Sequence, residues 1–107
     1  MKSALCYNSV MNKDYYIYIL TNYNETAFYV GFTNDLIRRI NEHKEKFIEC
    51  HTNKYNITKL VYYEITCSLE EAKIREKKLK NWHREWKINL IKKSNPEFKD
   101  LYDEIIQ

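Results

Sequence analysis

Glycine and proline are nearly absent from this sequence, which has one of each among its 107 residues, Gly31 and Pro96. No low-complexity linker and no internal repeat is present, so repeat architectures and linker-joined domains are excluded. Long apolar runs are also missing: no stretch of about 18 apolar residues occurs, which excludes a membrane-spanning helix. We expect residues 14–107 to form one domain, because a chain of this length can bury a core without disulfides.

A secretion signal and a paired-cysteine motif are absent as well. Residues 1–13 are too polar for a signal peptide and show no clear period, which predicts a flexible N-terminal leader. Cys6, Cys50 and Cys67 form no CxxC pair, and their odd number favours a reducing cytoplasm over a disulfide framework. No feature predicts membrane association or a tightly bound organic cofactor.

Aromatic residues and one basic segment are what the sequence has in excess. Ten Tyr, four Phe and two Trp make up 15% of the chain. The formal net charge is only +3, but residues 73–93 carry nine Lys or Arg and two Glu, a local +7. Such a segment suits a polyanionic partner, while a solvated helix face explains the charge equally well.

β-Branched and aromatic residues predict three strands. Residues 15–21 (YYIYILT) and 27–32 (AFYVGF) flank the turn-forming stretch NYNET and should form an antiparallel hairpin. Residues 59–66 (KLVYYEIT) should add a third strand. The expected fold class is α+β, a small three-stranded antiparallel sheet flanked by helices.

The first helix is predicted between the second and third strands. Thr33 or Asn34 can cap a helix that begins near Asn34. Its apolar residues Leu36, Ile40 and Phe47 fall on a single stripe.

Capping signals predict the helices of the second half. Ser68 and Glu71 have the spacing of a capping box, so a helix should begin near Ser68. Residues 84–93 should also be helical. Pro96 at a first helical position predicts a final short helix.

Gly31 and two tyrosines depart from ordinary strand patterning. Inside a strand, glycine marks either a bulge or the close approach of another group. Tyr18 and Tyr29 on adjacent strands can project to one face as cross-strand neighbours. Core packing explains this tyrosine pair equally well, because aromatic residues in strands are usually buried.

Arg39 shares a helix face with Leu36 and His43, beside the predicted buried stripe. A planar guanidinium can bind two phosphate oxygens, although an arginine at a stripe edge can also simply cover apolar surface. A lone histidine such as His43 is more typical of a hydrogen-bonded position at the core edge than of a catalyst.

Glu76 falls on the apolar stripe that Leu69, Ala72 and Leu79 define. A carboxylate facing the core is costly unless it is paired or coordinates a cation. Lys80, four residues later, could pair with it on an exposed face. A single carboxylate is also a suitable ligand for Mg²⁺, which keeps most of its waters.

Taken together, these residues resemble the GIY-YIG nuclease domain. The similarity rests on YIYIL at 16–20 and YVG at 29–31, followed by Arg39, Glu76 and Asn95. It covers nearly the whole chain. In particular, the chain resembles the small stand-alone group related to the N-terminal nuclease domain of the UvrC repair protein.

The resemblance implies a DNA endonuclease that hydrolyses phosphodiester bonds with one divalent ion, Mg²⁺ or Mn²⁺. Glu76 would hold the metal, Arg39 would contact the scissile phosphate, and Tyr29 would activate the attacking water. Tyr18 would hydrogen-bond in the same site, and His43 would lie near the nucleophile.

Further positions follow from the same resemblance. Gly31 would allow close approach to the catalytic surface, and Asn95 would support the site from the other side. DNA contacts are expected from basic residues of the second half, namely Lys77, Lys78, Lys80, Arg84 and Lys87. The sequence contains no second DNA-recognition domain, so we expect low sequence specificity, with structure-specific cleavage in repair or recombination, or a protein partner that supplies specificity.

Three alternatives stay open at this point. One is a non-catalytic nucleic-acid-binding module with the same fold, and another is an interaction subunit that works only beside a partner. The third is a zinc site through Cys50, His51 and Cys67, which is disfavoured because structural zinc normally uses two paired ligand sets.

Overall fold

Within the residues that the structure describes, seven elements follow one another in the predicted order of strand, strand, helix, strand and three helices. The computed structural model describes residues 14–45 and 57–106. The strands are β1 (Tyr15–Thr21), β2 (Phe28–Thr33) and β3 (Lys59–Thr66), and the helices are α1 (Leu36–Lys44), α2 (Leu69–Lys80), α3 (Arg84–Ser94) and α4 (Tyr102–Ile105). The predicted leader (1–13), Phe47, Cys50 and His51 lie outside the described residues. Within those ranges, no helix is long and apolar enough to cross a membrane.

β1 is the central strand of the sheet and pairs antiparallel with β2 on one side and β3 on the other. Its residues from Ile17 to Thr21 are fully buried, because both faces of the strand are covered. Tyr18 lies directly opposite Gly31 in β2 and Tyr63 in β3. The predicted three-stranded antiparallel sheet and the α+β class are therefore confirmed.

Helices cover both faces of the sheet and create two apolar cores. On one face, α2 and α3 contribute Ala72, Leu79 and Ile91 to a cluster with Ile17, Ile19, Val30 and Val61. On the other face, α1 contributes Leu36 and Ile40 to a cluster with Tyr18, Leu20, Ile57 and Leu60. Residues of α4 pack against the same second cluster. The sheet thus holds α1 and α2 on opposite sides of β2.

The cap of α1 differs from the prediction. Asp35 is the N-cap, and its carboxylate accepts a hydrogen bond from the Arg38 amide at 3.2 Å. Thr33 instead accepts a hydrogen bond from the Asp35 amide at 3.0 Å, so its hydroxyl shapes the turn before the helix. The helix therefore begins at Leu36, two residues after the predicted start near Asn34.

The cap of α2 is the predicted Ser68. Its hydroxyl accepts a hydrogen bond from the Glu71 amide at 3.2 Å. The Glu71 carboxylate accepts from the Thr66 hydroxyl at 3.0 Å, which ties the first turn of α2 to the end of β3. This arrangement fixes how α2 leaves the sheet.

The final helix does not begin at Pro96, as predicted, but at Tyr102. The Asn95 side chain accepts from the Lys99 amide at 3.0 Å and donates to the Lys99 carbonyl at 2.8 Å. These bonds hold residues 96–99 in a turn, in which Phe98 has a positive φ of 54°. A side-chain amide that satisfies backbone groups in this way competes with helix formation.

Asn95 also donates to the Val61 carbonyl of β3 at 3.1 Å, and only 4% of its surface is exposed. We expect Asn95→Ala to lower the free energy of unfolding by about 2–4 kcal/mol, because buried backbone groups lose their partners. Chemical denaturation measures this change, with the exposed Asn89→Ala on α3 as the matched control. Equal stability of the two variants would contradict a structural role for Asn95.

Candidate functional site

A cleft of about 570 Å³ is lined by residues of β1, β2, α1 and α2. Predicted site residues from all of these elements line it together: Tyr18, Tyr29, Gly31, Arg39 and Glu76. Five further residues line the cleft that the sequence did not predict as site residues, namely Tyr15, Phe32, Thr33, Asn34 and Leu69. Leu69 had a detectable signal, since it lies seven residues before Glu76 on the stripe of α2.

Gly31 makes room for the ring of Tyr18. A Cβ atom at position 31 would lie 2.6 Å from the Tyr18 hydroxyl oxygen, 2.7 Å from its Cζ and 3.1 Å from Cε2 of Tyr29. The backbone of Gly31 has no positive φ, so its conformation does not require glycine. Glycine is therefore needed for space: the ring of the central strand lies against the backbone of the edge strand.

Tyr18, Tyr29 and His43 form one aromatic group. The ring centroids of Tyr29 and His43 are 5.5 Å apart, and those of Tyr18 and His43 are 6.1 Å apart. The Tyr18 hydroxyl lies 3.5 Å from Nε2 of His43, a long hydrogen bond. His43 is only 3% exposed and is not among the residues that line the cleft, so it contacts the tyrosines from the interior.

Burial sets the protonation of this group. Desolvation, and to a lesser extent the nearby Arg39 charge, lower the pKa of His43 to about 4. Desolvation raises the pKa of Tyr18 well above its ordinary value, with a further increase from Tyr29 that Arg39 partly opposes. At neutral pH, His43 is therefore uncharged and Tyr18 keeps its proton.

Arg39 is held by Glu42, one turn along α1. Its Nε atom lies 3.4 Å from a Glu42 carboxylate oxygen, an ion pair whose geometry does not qualify as a hydrogen bond. Among the described residues, this buried Nε–H donor has no acceptor. The side chain is 31% exposed and lines the cleft, so the guanidinium can still bind an anion.

Glu76 lies where its stripe on α2 reaches the cleft. Its side chain is 19% exposed, and one carboxylate oxygen is 3.0 Å from the ammonium of Lys80. The pairing with Lys80 that the sequence allowed thus occurs, while the carboxylate still lines the cleft. No group of three or more His, Cys, Asp or Glu side chains in the described ranges could hold a metal ion.

The zinc alternative receives no support from the part of the chain that the structure describes. Cys67 is disulfide-bonded, and a disulfide sulfur cannot act as the thiolate ligand that zinc requires. A disulfide is also unexpected in the reducing cytoplasm that the odd number of cysteines favoured.

Asn95 lies away from this cleft. It lines a separate cleft of about 550 Å³ together with Tyr63 and Pro96. Its side chain is engaged by the backbone of β3 and of the turn after α3. Asn95 therefore anchors the turn after α3 to β3, and it does not line the cleft that contains Glu76.

The predicted DNA-contacting residues divide into two sets. Lys77 and Lys78 are exposed on α2 and form no ion pair with any described residue. Arg84 donates to the carbonyls of Glu25 at 2.6 Å and Thr26 at 2.9 Å, which fastens α3 to the β1–β2 turn.

The remaining two are also constrained. Lys87 is half-buried, and burial lowers its pKa. Lys80 is paired with Glu76. Only Lys77 and Lys78 among the five are thus free to meet a phosphate without first breaking a contact or leaving a half-buried position.

Comparison with known proteins decides the family. A family model described as the GIY-YIG catalytic domain matches residues 14–89. The chain belongs to the GIY-YIG family. Membership indicates a nuclease, and GIY-YIG nucleases generally use divalent metal ions.

Similar GIY-YIG proteins include members of the group named UPF0213. A UPF0213 protein of Clostridium perfringens is 37% identical over 76 residues, which cover 71% of this chain and 81% of that protein. A UPF0213 protein of Syntrophus aciditrophicus is 36% identical over 88 residues, which cover 81% of this chain and 98% of that protein. The solution NMR structure of a UPF0213 protein from Bacillus halodurans matches with a TM-score of 0.52 and 28% identity, over 81% of this chain and 92% of that one.

Space at Gly31 can be tested by substitution. Gly31→Ala gains about 0.5–1 kcal/mol from reduced chain entropy, but the clash with Tyr18 costs about 1–3 kcal/mol, so we expect net destabilisation. In a Tyr18→Leu background, which lacks the hydroxyl and Cζ, the same substitution should be neutral or stabilising. Chemical denaturation of the four proteins measures the coupling. A stabilising effect of Gly31→Ala in the wild type would show that the ring does not need this space.

Burial of neutral His43 predicts a pH dependence of stability. The folded pKa of about 4 lies below the ordinary value of 6.5, so the unfolded chain binds a proton that the folded chain does not. Stability contributed by His43 is full above pH 6.5 and is lost as the pH falls toward 4. Between pH 7 and 5 the free energy of unfolding should drop by about 1–2 kcal/mol from this residue.

Denaturation at these two pH values checks the prediction. His43→Gln should remove this part of the pH dependence, whereas His83→Gln, at an exposed position before α3, should retain it. The same pH dependence in both variants would contradict the assignment.

Proposed function

We propose that this chain is a metal-dependent DNA endonuclease that hydrolyses phosphodiester bonds with low sequence specificity. The observation that carries the proposal is the meeting of Arg39, Glu76 and Tyr29, from three separate elements, in one cleft. Phosphodiester hydrolysis needs neutralisation of phosphoryl charge, a proton acceptor for water and an oriented substrate. The cleft offers a side chain for each of these tasks.

Glu76 is the residue that would hold one Mg²⁺ or Mn²⁺. Of the described residues that line the cleft, it is the one with an acidic side chain. A single carboxylate fits Mg²⁺, which binds through one or two carboxylates and substrate phosphates and keeps several waters. A bound ion would supply charge stabilisation at the phosphoryl group.

Arg39 would bind the scissile phosphate. Its guanidinium is partly exposed in the cleft, it is held from behind by Glu42, and its Nε–H has no acceptor among the described residues. A held guanidinium stabilises the negative charge that develops in the transition state without reorganising. Its planar donors also orient the phosphate.

Tyr29 would accept the proton of the attacking water, and His43 would take it onward. Tyr29 is half-buried and lines the cleft, so water can reach its hydroxyl. His43 lies beside its ring and is uncharged at neutral pH, and its imidazole would hold a proton only transiently, because burial lowers its pKa to about 4. Burial raises the pKa of Tyr18 and keeps its hydroxyl protonated, so the hydroxyl would serve as a hydrogen-bond donor.

DNA would be held mainly by its backbone. Lys77 and Lys78 are exposed on α2, and the indole of Trp86 on α3 is 53% exposed, where a base could stack. Phosphate contacts position DNA without reading its sequence, and base readout needs an element that enters a groove. Low specificity, or cleavage that depends on DNA structure as in repair or recombination, fits this surface.

The deciding experiment is a cleavage assay on supercoiled, branched and single-stranded DNA with Mg²⁺, Mn²⁺ or a chelator. Wild type should cut weakly and only with a metal. Glu76→Gln should lower the cleavage rate at least about 100-fold while leaving DNA binding intact or slightly tighter. Glu85→Gln, which removes an exposed acid from α3, should cut as wild type does.

Other outcomes would redirect the proposal. If Glu76→Gln cuts as fast as wild type, Glu76 does not hold the metal. DNA binding without cleavage in either metal would indicate a non-catalytic binding module. A stable protein complex without affinity for DNA would indicate a partner-dependent subunit.

A further inference from the structure

Lys80 forms an ion pair with Glu76, which lines the cleft, although Lys80 itself is not among the lining residues. The Lys80 ammonium lies 3.0 Å from one carboxylate oxygen of Glu76, and the two residues are four apart on α2. The Lys80 side chain is 49% exposed, while that of Glu76 is 19% exposed. The ammonium therefore approaches the carboxylate from the solvent side, and it occupies an oxygen that a divalent cation would need.

The neighbouring lysines of α2 cannot play this part. Residues one and two positions after Glu76 lie on other sides of the helix, whereas a residue four positions after it lies on the same side. Lys77 and Lys78 are accordingly exposed and form no ion pair within the described residues. Lys80 is thus distinguished by position and not only by charge.

An ion pair of this kind is weak enough to exchange. Half-exposed pairs between helix neighbours contribute little net stability, because water and salt screen them. A divalent cation at Glu76 competes directly with the ammonium and repels it. The long flexible stem of lysine then lets the ammonium move to another anion nearby.

We propose that Lys80 is a positioning residue that exchanges partners during substrate binding. It neutralises Glu76 while the cleft is empty, leaves when a cation binds there, and then contacts a DNA phosphate beside the cleft. Binding of the cation and of DNA consequently favour each other, by the same factor in both directions. This inference rests on the proposed assignment of the cation to Glu76.

Cation binding without DNA tests the first half. Free Mn²⁺ is followed by electron paramagnetic resonance during titration of wild type, Lys80→Ala, Lys77→Ala and Glu76→Gln. Lys80→Ala should bind Mn²⁺ about two- to fivefold more tightly, because no ammonium competes for the carboxylate. Lys77→Ala removes an equal charge three residues before Lys80. It should change the affinity for Mn²⁺ less than about twofold. Glu76→Gln should lose the site.

DNA binding tests the second half. Fluorescence anisotropy of a labelled oligonucleotide is measured with a chelator and with Ca²⁺, and a gel afterwards verifies that the DNA is intact. In wild type, the cation should raise DNA affinity several-fold. Lys80→Ala should show a smaller gain, because a bound cation would still attract the phosphate but would release no ammonium. Lys77→Ala should bind DNA more weakly in both conditions but keep the wild-type gain.

The outcomes distinguish a failure of the Lys80 exchange from a failure of the metal assignment to Glu76. If Glu76→Gln abolishes Mn²⁺ binding while Lys80→Ala leaves Mn²⁺ affinity and the cation-dependent gain unchanged, the exchange is wrong and the metal assignment stands. If Mn²⁺ binds wild type and Glu76→Gln equally, or binds neither, the assignment itself fails and the exchange fails with it.

Discussion

The contact between the ring of Tyr18 and the backbone of Gly31 is the constraint on which the cleft depends. Tyr18 is fully buried on the central strand, and Gly31 is its direct partner on the edge strand. Because no Cβ intervenes, the tyrosine ring can lie flat enough to reach Tyr29 and His43 at the same time. A Cβ atom at position 31 would clash with this ring, which lines the cleft together with Arg39 and Glu76.

The two charged side chains of the cleft, Arg39 and Glu76, are each paired with a neighbour on their own helix. Arg39 is held by Glu42 on its own helix, and Glu76 is held by Lys80 on its own helix. Each side chain is thus positioned by a local partner and not by the other, which keeps the two opposite charges available to separate ligands. The buried neutral His43 lies behind them, where an additional positive charge would be costly.

The sequence predicted the strands well and the ends of the helices less well. β1 and β3 begin and end as predicted, because alternating aromatic and β-branched residues match a sheet that is buried on both faces. The cap of α1 was assigned to Thr33 or Asn34, but three consecutive residues there can cap a helix, and the fold selects Asp35. The helix predicted from Pro96 fails because Asn95 satisfies the following backbone through its own side chain, a long-range arrangement that also requires Val61.

The sequence also identified five residues of the cleft, because each of them departs from the pattern of its own strand or helix. Tyr18, Tyr29, Gly31, Arg39 and Glu76 each break a local pattern, and the structure brings them together. Arg84 and Lys87 were predicted to contact DNA from charge alone, and charge along a helix does not reveal which cations the fold itself uses. Arg84 is committed to carbonyls of the β1–β2 turn, more than fifty residues earlier in the chain.

The strand order β2-β1-β3 has a consequence for how the protein folds. The β1–β2 hairpin is local and can form early, but it leaves one edge of β1 unpaired until β3 has been synthesised and has crossed to reach it. During that interval the most apolar strand of the protein presents open backbone groups to other chains. Rapid capture of β3 therefore protects the nascent protein from aggregation, and substitutions that slow this pairing would reduce the yield of folded protein even where they leave the finished cleft unchanged.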